Sequence, residues 1–282
     1  MTDNRAIGVF DSGLGGLTTV RELRRIMPNE DIVYFGDTGR VPYGTRSRET
    51  VRKYARQDIR FLLSRDVKMI VVACNTAAAA IADEMEGYGI PYADALTPAV
   101  AAAAGATRNK TVAVIGTAAT VKSGAYEAAI HAVSPGIRVV AASCPLFVPL
   151  VENGFSGKDN PVAHMVAEQY LLPVMQSGAD TLILGCTHYP VMKDIIEDIV
   201  GTGVTLVDSG QEAARRAREK LEETGRLSSG KTEGSCRYYV SDSPADFAES
   251  AQAILGGPIE GGAEQVDIES YEAGSELWKE EK

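Results

Sequence analysis

The stretch Leu182-Ile183-Leu184-Gly185-Cys186-Thr187-His188-Tyr189-Pro190 sets three aliphatic residues in succession. An uninterrupted apolar run reads as a strand buried on both faces, the habit of parallel sheets covered by helices. Gly185 marks its end, and Pro190 suits the first turn of a following helix. Cys186 therefore sits at the carboxyl end of a strand, where open α/β sheets hold their ligands. Met69-Ile70-Val71-Val72-Ala73-Cys74-Asn75-Thr76 repeats the pattern ahead of an alanine-rich helix. If these two strand ends face each other, two sulfurs flank one small ligand.

The rest of the chain alternates short apolar runs with helical patterns, which predicts parallel βαβ units in an α/β fold. Ile7–Phe10 reads as the first strand and runs into Asp11-Ser12-Gly13-Leu14-Gly15-Gly16; a helix over Leu17–Met27 stops at Pro28. Asp31–Phe35 is the second strand, followed by a loop to Gly44 and an amphipathic helix over Arg48–Ser64. Pro91–Ala95 is a fourth strand, and Thr97-Pro98 opens another alanine-rich helix. The alternation restarts at Thr111–Thr120 and continues through Gly136–Ala142, the Cys186 strand and Val204–Val207. Gly116-Thr117 then stands where Asp11-Ser12 stood, and Cys186 where Cys74 stood, a weak internal duplication. Two doubly wound parallel-sheet domains are expected, one from residues 1–97 with 208–282 and one from 98–207. A helix over Gln211–Glu223, a strand near Tyr238–Ser241 and a helix after Pro244 return to the first. Leu227–Gly234 reads as a polar loop, and the acidic last dozen residues as a loosely held tail.

Composition narrows the function. A formal net charge of −10 argues against nucleic acid as the main partner, because phosphate contacts need a basic face. The clusters Arg21–Arg25 and Arg46–Arg60 read as solvated helix faces. No secretory signal opens the chain, and no apolar run approaches the roughly 20 residues of a membrane span. Cys74, Cys144, Cys186 and Cys236 lie far apart with no C-x-x-C pair, which suggests reduced thiols in a cytoplasmic protein.

A free thiol ionises near pH 8.5, so a proton-abstracting cysteine needs help at neutral pH. His188 is two residues from Cys186, and Asp11 ends the strand expected to adjoin that of Cys74. The helix N-termini after both cysteines also favour thiolate. Two thiols facing across a small substrate suit removal of a proton from one face of a carbon and its return to the other: racemisation or epimerisation, without metal or cofactor. Each residue also has a plainer reading. Cysteine after a buried strand is commonly core filler, and that reading is kept for Cys144 and Cys236. His188, Asp11, Thr117 and Thr120 could be helix caps, and His131 and His164 surface or packing residues. Gly13–Gly16 invites comparison with the dinucleotide fingerprint, but Thr18 stands where its third glycine is required.

The blocks Ile7–Leu17, Tyr34-Phe35-Gly36-Asp37-Thr38 with Pro42-Tyr43-Gly44, Ala73-Cys74-Asn75-Thr76, Gly116-Thr117-Ala118-Ala119-Thr120 and Gly185–Pro190 resemble those of bacterial glutamate racemases, in the same order and spacing. The paired cysteines are shared by the wider aspartate/glutamate racemase superfamily, whereas the Asp-Ser-Gly-x-Gly-Gly and Pro-Tyr-Gly blocks resemble the glutamate branch. Past about residue 225 the match is thin.

The resemblance implies two α/β domains with the site between them and a cofactor-independent two-base reaction. Cys74 would take the α-proton of D-glutamate, assisted by Asp11, and Cys186 that of L-glutamate, assisted by His188. Glu152 resembles a third acidic residue that orients His188. Asp11, Ser12, Tyr43, Gly44, Asn75, Thr76, Thr117, Thr120, Thr187 and His188 match substrate-contacting positions. Neutral hydroxyls and backbone N–H groups at helix starts would hold two carboxylates without a strong base beside them. A homodimer in a bacterial cytoplasm, supplying D-glutamate for peptidoglycan, is implied as well. The rivals are a racemase of aspartate or another small amino acid, a nucleotide- or metabolite-binding protein using Gly13–Gly16, and a zinc site from Cys74, Cys186 and His188.

Overall fold

The computed structural model describes residues 3–230, 232–259 and 261–272. Most of the acidic tail, from residue 273, therefore lies outside the described residues. In chain order the elements are β1 (Ile7–Asp11), α1 (Leu17–Ile26), β2 (Ile32–Gly36), α2 (Arg48–Ser64), β3 (Met69–Val72), α3 (Asn75–Ile81), β4 (Tyr92–Asp94) and α4 (Thr97–Ala106). There follow β5 (Thr111–Gly116), α5 (Ala118–Ser123), α6 (Ala125–Val133), β6 (Arg138–Ser143), α7 (Phe147–Glu152), α8 (Pro161–Ser177), β7 (Thr181–Gly185), α9 (Lys193–Val200) and β8 (Thr205–Asp208). The chain closes with α10 (Ser209–Glu223), β9 (Cys236–Val240), α11 (Pro244–Leu255) and β10 (Ala263–Gln265). Short 3₁₀ turns occupy Thr38–Arg40, Tyr43–Thr45, Met85–Tyr88, Tyr189–Met192 and Ile268–Tyr271.

The strands form two wholly parallel sheets, in the orders β10-β9-β2-β1-β3-β4 and β6-β5-β7-β8. Four strands of the first sheet, β2-β1-β3-β4, thus repeat the order of the second, which bears out the duplication. In each set the order reverses between the first strand and the third, and a crevice opens there at the carboxyl ends. β1 pairs with β3 through Phe10↔Val72, so Asp11 and Cys74 emerge side by side. β5 pairs with β7 through Gly116↔Gly185, and Thr117 and Cys186 emerge likewise. The edge strand β10 and helices α5 to α7 carry too little periodicity to have been anticipated.

Local chemistry sets the helix boundaries. Ser47 caps α2 by accepting the Thr50 N–H at 3.2 Å, and Val51, Ala55, Ile59 and Leu62 give that helix its buried stripe. Arg24 and Arg25 fall in the last turn of α1, where positive charge complements the helix dipole. One cluster of buried side chains is continuous across both sheets, from Phe10, Ile70 and Val72 to Val112, Val114 and Ile183. Each large aliphatic in it contributes about 1.5–3 kcal/mol of burial. Cys236 starts β9 opposite Ile32 and packs on the other face of the first sheet, a structural thiol as expected.

Candidate active site

The two crevices meet on one cavity of about 300 Å³, with Cys74 contributed from the first sheet and Cys186 from the second. Ser12, Tyr43, Gly44, Asn75, Thr76, Thr117, Glu152, Thr187 and His188 also line it. Of the residues singled out in the sequence, Asp11 and Thr120 stand behind the lining. Among the described residues no three His, Cys, Asp or Glu side chains converge as a metal-binding group, so the zinc reading finds no donor set.

On the Cys186 side the three-residue spacing from strand end to histidine brings His188 Nδ1 to 3.9 Å from the sulfur. The other ring nitrogen lies 2.9 Å from Glu152 Oε1, at the end of α7. Burial works against an imidazolium here. The hydrogen bonds to Cys186 and Glu152, with the charges of Cys186 and Asp11, outweigh it and lift His188 to about 10. The ring therefore keeps its proton at neutral pH and presents a cation to the thiol.

The Cys74 side is arranged differently. Its sulfur lies 3.6 Å from the Ser12 hydroxyl. Burial first, and then the charge of Asp11, push its thiol up to about 12, against smaller help from the Ala77 N–H and Ser12. In this structure a charged Asp11 therefore works against a Cys74 thiolate, since a carboxylate repels it. Asp11 is fully buried. It accepts the Gly13 N–H at 3.0 Å and the Thr187 hydroxyl at 3.2 Å. Burial raises its carboxyl, opposed by the charge of His188 and by these donors, which brings it nearer to accepting a proton. Asp11 is not the cap of α1, whose N-cap is Gly16.

Where the two halves meet, three hydroxyls close a triangle. Thr76, Thr117 and Thr120 lie 3.0–3.1 Å apart, joining α3 of one half to α5 of the other. Thr117 also caps α5 through the Thr120 N–H, so the capping and site readings hold together. Two side chains turn away from the cavity. Asn75 donates to Ser209 at 3.0 Å and accepts from the Tyr126 hydroxyl, which leaves its backbone to face the cavity. The Tyr43 hydroxyl is held by Asp37 and Asp58, and Arg40 bridges both carboxylates. Tyr43 and Gly44 are therefore a wall braced from behind.

The glycine run serves space, not phosphate. A Cβ on Gly15 would lie 2.2 Å from Thr187 Oγ1 and 2.5 Å from His188 Nδ1, and one on Gly16 would lie 2.4 Å from the Asp11 Cβ. Gly44 admits Thr117 in the same way, at 2.7 Å from its Cβ. The reading of Cys144 as plain filler missed that Cys144, Pro145, Val148 and Pro149 line the cavity as well. The signal was available, since Cys144 follows β6 as Cys186 follows β7.

The chain's likenesses agree with this arrangement. The family described as Asp/Glu/Hydantoin racemase matches residues 16–217. A glutamate racemase of Geobacter metallireducens is 46% identical over 94% of this chain and 98% of the relative. The crystal structure of a glutamate racemase isoform from Bacillus anthracis superposes with a TM-score of 0.89 at 37% identity, covering 94% of this chain and 98% of that one. That of the Francisella tularensis glutamate racemase, in complex with D-glutamate, gives 0.88 at 40% identity over 95% and 100%. By sequence over most of its length, and by the pairing of two thiols at like strand ends, the chain belongs to the Asp/Glu/Hydantoin racemase family.

Proposed function

We propose that this protein is a glutamate racemase, an isomerase that interconverts L- and D-glutamate through two thiols with no cofactor. The observation that carries this reading is that Cys74 and Cys186, from the two sheets, line one cavity, one held protonated and the other beside a cation. From L-glutamate, Cys186 as thiolate beside the His188 imidazolium removes the Cα proton. Cys74 delivers its own proton to the opposite face. The enzyme left behind, with Cys186 protonated and Cys74 ionised, is the form that takes D-glutamate, and Asp11 assists the return of the Cys74 proton. Ser12, Thr76, Thr117 and Thr187 supply neutral donors for the two carboxylates, with Gly44 and the backbone after Cys74, at Asn75, closing around them. Thr120 holds Thr76 and Thr117 from behind, and Tyr43 braces the wall. Charge developing at Cα is then met by preorganised donors rather than by water.

The reading extends to the whole chain. The described residues up to 97 with those from 208 onward form one domain and 98–207 the other, and the cleft between them is the site. No described helix is long and apolar enough to cross a membrane, which suits a cytoplasmic enzyme supplying D-glutamate to bacterial peptidoglycan. A homodimer is supported by an apolar row on α8, where Val162, Met165, Leu172 and Met175 are each about half exposed or more.

The test is isotopic. Started from L-glutamate in D₂O, early D-glutamate should carry deuterium at Cα while the remaining L-glutamate stays protiated, because the delivering thiol exchanges with solvent between turnovers. Alanine at either Cys74 or Cys186 should abolish turnover in both directions. Early unlabelled D-glutamate, or a tenth of wild-type activity in either variant, refutes the two-thiol mechanism.

A further inference from the structure

A second cavity, of about 510 Å³, lies on the same seam between the two halves. It is lined by the continuations of the segments that line the catalytic cavity. Gly44 and Thr45 belong to the inner chamber and Arg46, Ser47 and Arg48 to the outer one; Thr117 and Ala118 belong to the inner and Ala119, Lys122 and Ser123 to the outer. Thr76 lines both, so the two chambers adjoin at that residue, where its hydroxyl meets that of Thr117.

The outer chamber is cationic in a chain of net charge −10. Arg46 comes from the first half and Lys122 from the second, and neither has an ion-pair partner among the described residues. Arg48 is different, since Asp83 lies 3.5 Å from its guanidinium. The inner cavity offers no Arg or Lys to its ligand, its only lining cation being the His188 ring, so Arg46 and Lys122 add positive charge in the chamber that adjoins it. A cleft lined by one sign of charge raises the local concentration of the opposite ion, by about tenfold or more.

We propose that this outer chamber is the vestibule through which the anionic substrate enters, and that Arg46 and Lys122 set substrate capture by attracting a dicarboxylate toward the Thr76 threshold. The proposal rests on the racemase reading for the identity of the dicarboxylate. Neither cation reaches the reacting carbon, so both act on affinity and leave the proton transfers alone. Their action is long-range and is screened by salt.

The experiment compares R46E/K122E and the milder R46Q/K122Q with wild type at low and high ionic strength. At about 20 mM salt the charge-reversed enzyme should show a KM for L-glutamate raised about tenfold with kcat unchanged, and the neutralised one about threefold. At about 0.5 M salt, where the screening length falls to about 4 Å, the gap should close. Unchanged KM at low salt, or a gap that persists at high salt, overturns the vestibule, as does a fall in kcat alone. Calorimetric titration with racemic glutamate, already at its enantiomeric equilibrium, reads affinity without net turnover. A wild-type enzyme that binds but does not racemise would indict the reaction, and its binding across the same salt series would still decide the vestibule.

Discussion

Replacing Gly15 with alanine tests whether the glycine run exists to seat the His188 imidazole. The added Cβ would lie 2.2 Å from Thr187 Oγ1, 2.5 Å from His188 Nδ1 and 2.7 Å from His188 Cε1, where ordinary contact begins near 3.4 Å. Thr187 and His188 must together retreat by about 1 Å. Neither can do so freely, because the Thr187 hydroxyl is tied to Asp11 at 3.2 Å and His188 Nε2 to Glu152 at 2.9 Å. A displacement of that size at a reacting group costs about 10²-fold in rate, and crowding of a packed site costs about 1–3 kcal/mol of stability. Racemisation followed by circular dichroism should therefore fall about 100-fold in a protein that still melts cooperatively. The equilibrium constant between enantiomers is one, so kcat/KM must fall by the same factor in both directions. Gly87→Ala, where an added Cβ meets nothing within 4 Å, is the silent control. A folded Gly15→Ala enzyme within a few-fold of wild type would show that the glycine makes no room that the imidazole needs.

Three further outcomes concern charged groups and their partners. Glu152→Gln keeps an acceptor near His188 but removes the charge that helps lift the imidazole to about 10; the alkaline limb of the kcat/KM profile should move to lower pH, and an unmoved limb would detach Glu152 from the ring's titration. Asp180 is held down at about 2: burial, the largest single influence, raises it, and the Thr107 hydroxyl, the Asn109 and Arg108 N–H groups and the Thr181 hydroxyl together outweigh it. Its contribution is complete above the ordinary value of 3.8 and is lost as pH falls toward 2, so Asp180→Asn should flatten the acid limb of a stability-versus-pH curve measured by urea melts. Lys68, fully buried, bonds Glu30 and the carbonyls of Asp3 and Arg226; Lys68→Met should cost about 3–5 kcal/mol by stranding Glu30, with part recovered in Lys68→Met/Glu30→Gln.

What could be read in the sequence was whatever depends on neighbours along the chain. The helix predicted over Arg48–Ser64 is found with those bounds, because a capping serine and a strict apolar stripe are local signals. Cys74 and Cys186 were found for the same reason, each at the end of an apolar strand before a helix. What could not be read depends on contacts across the fold. Asn75 and Tyr43 lie at the cavity as expected, but only the packing of Tyr126 and Asp58 decides that their side chains point elsewhere. The purpose of Gly15 lies 173 positions on, at His188. At Cys74 burial and the Asp11 charge act opposite to expectation, raising the thiol, because burial is a sum over the whole fold that the sequence does not display.

That opposite outcome is what a two-thiol racemase requires. Two thiolates facing one carbon would have no proton to return, and two neutral thiols would have no base to begin. The pair must hold one proton between them, on different sulfurs in the two directions. Like strand ends on two like sheets would by themselves treat both sulfurs alike, so the distinction has to come from what surrounds them. Cys74 is buried beside the Asp11 carboxyl, which disfavours its ionised form; Cys186 lies 3.9 Å from a ring that Glu152 helps keep protonated. These surroundings hold a proton on Cys74, as the form that would take L-glutamate requires. Turnover moves it to Cys186, and the proton must return to Cys74 before the next L-glutamate; over that closed cycle the bias cancels, because the enzyme ends as it began and substrate and product are mirror images of equal free energy. The duplicated fold supplies the two positions, and the unlike charges supply the alternation between them.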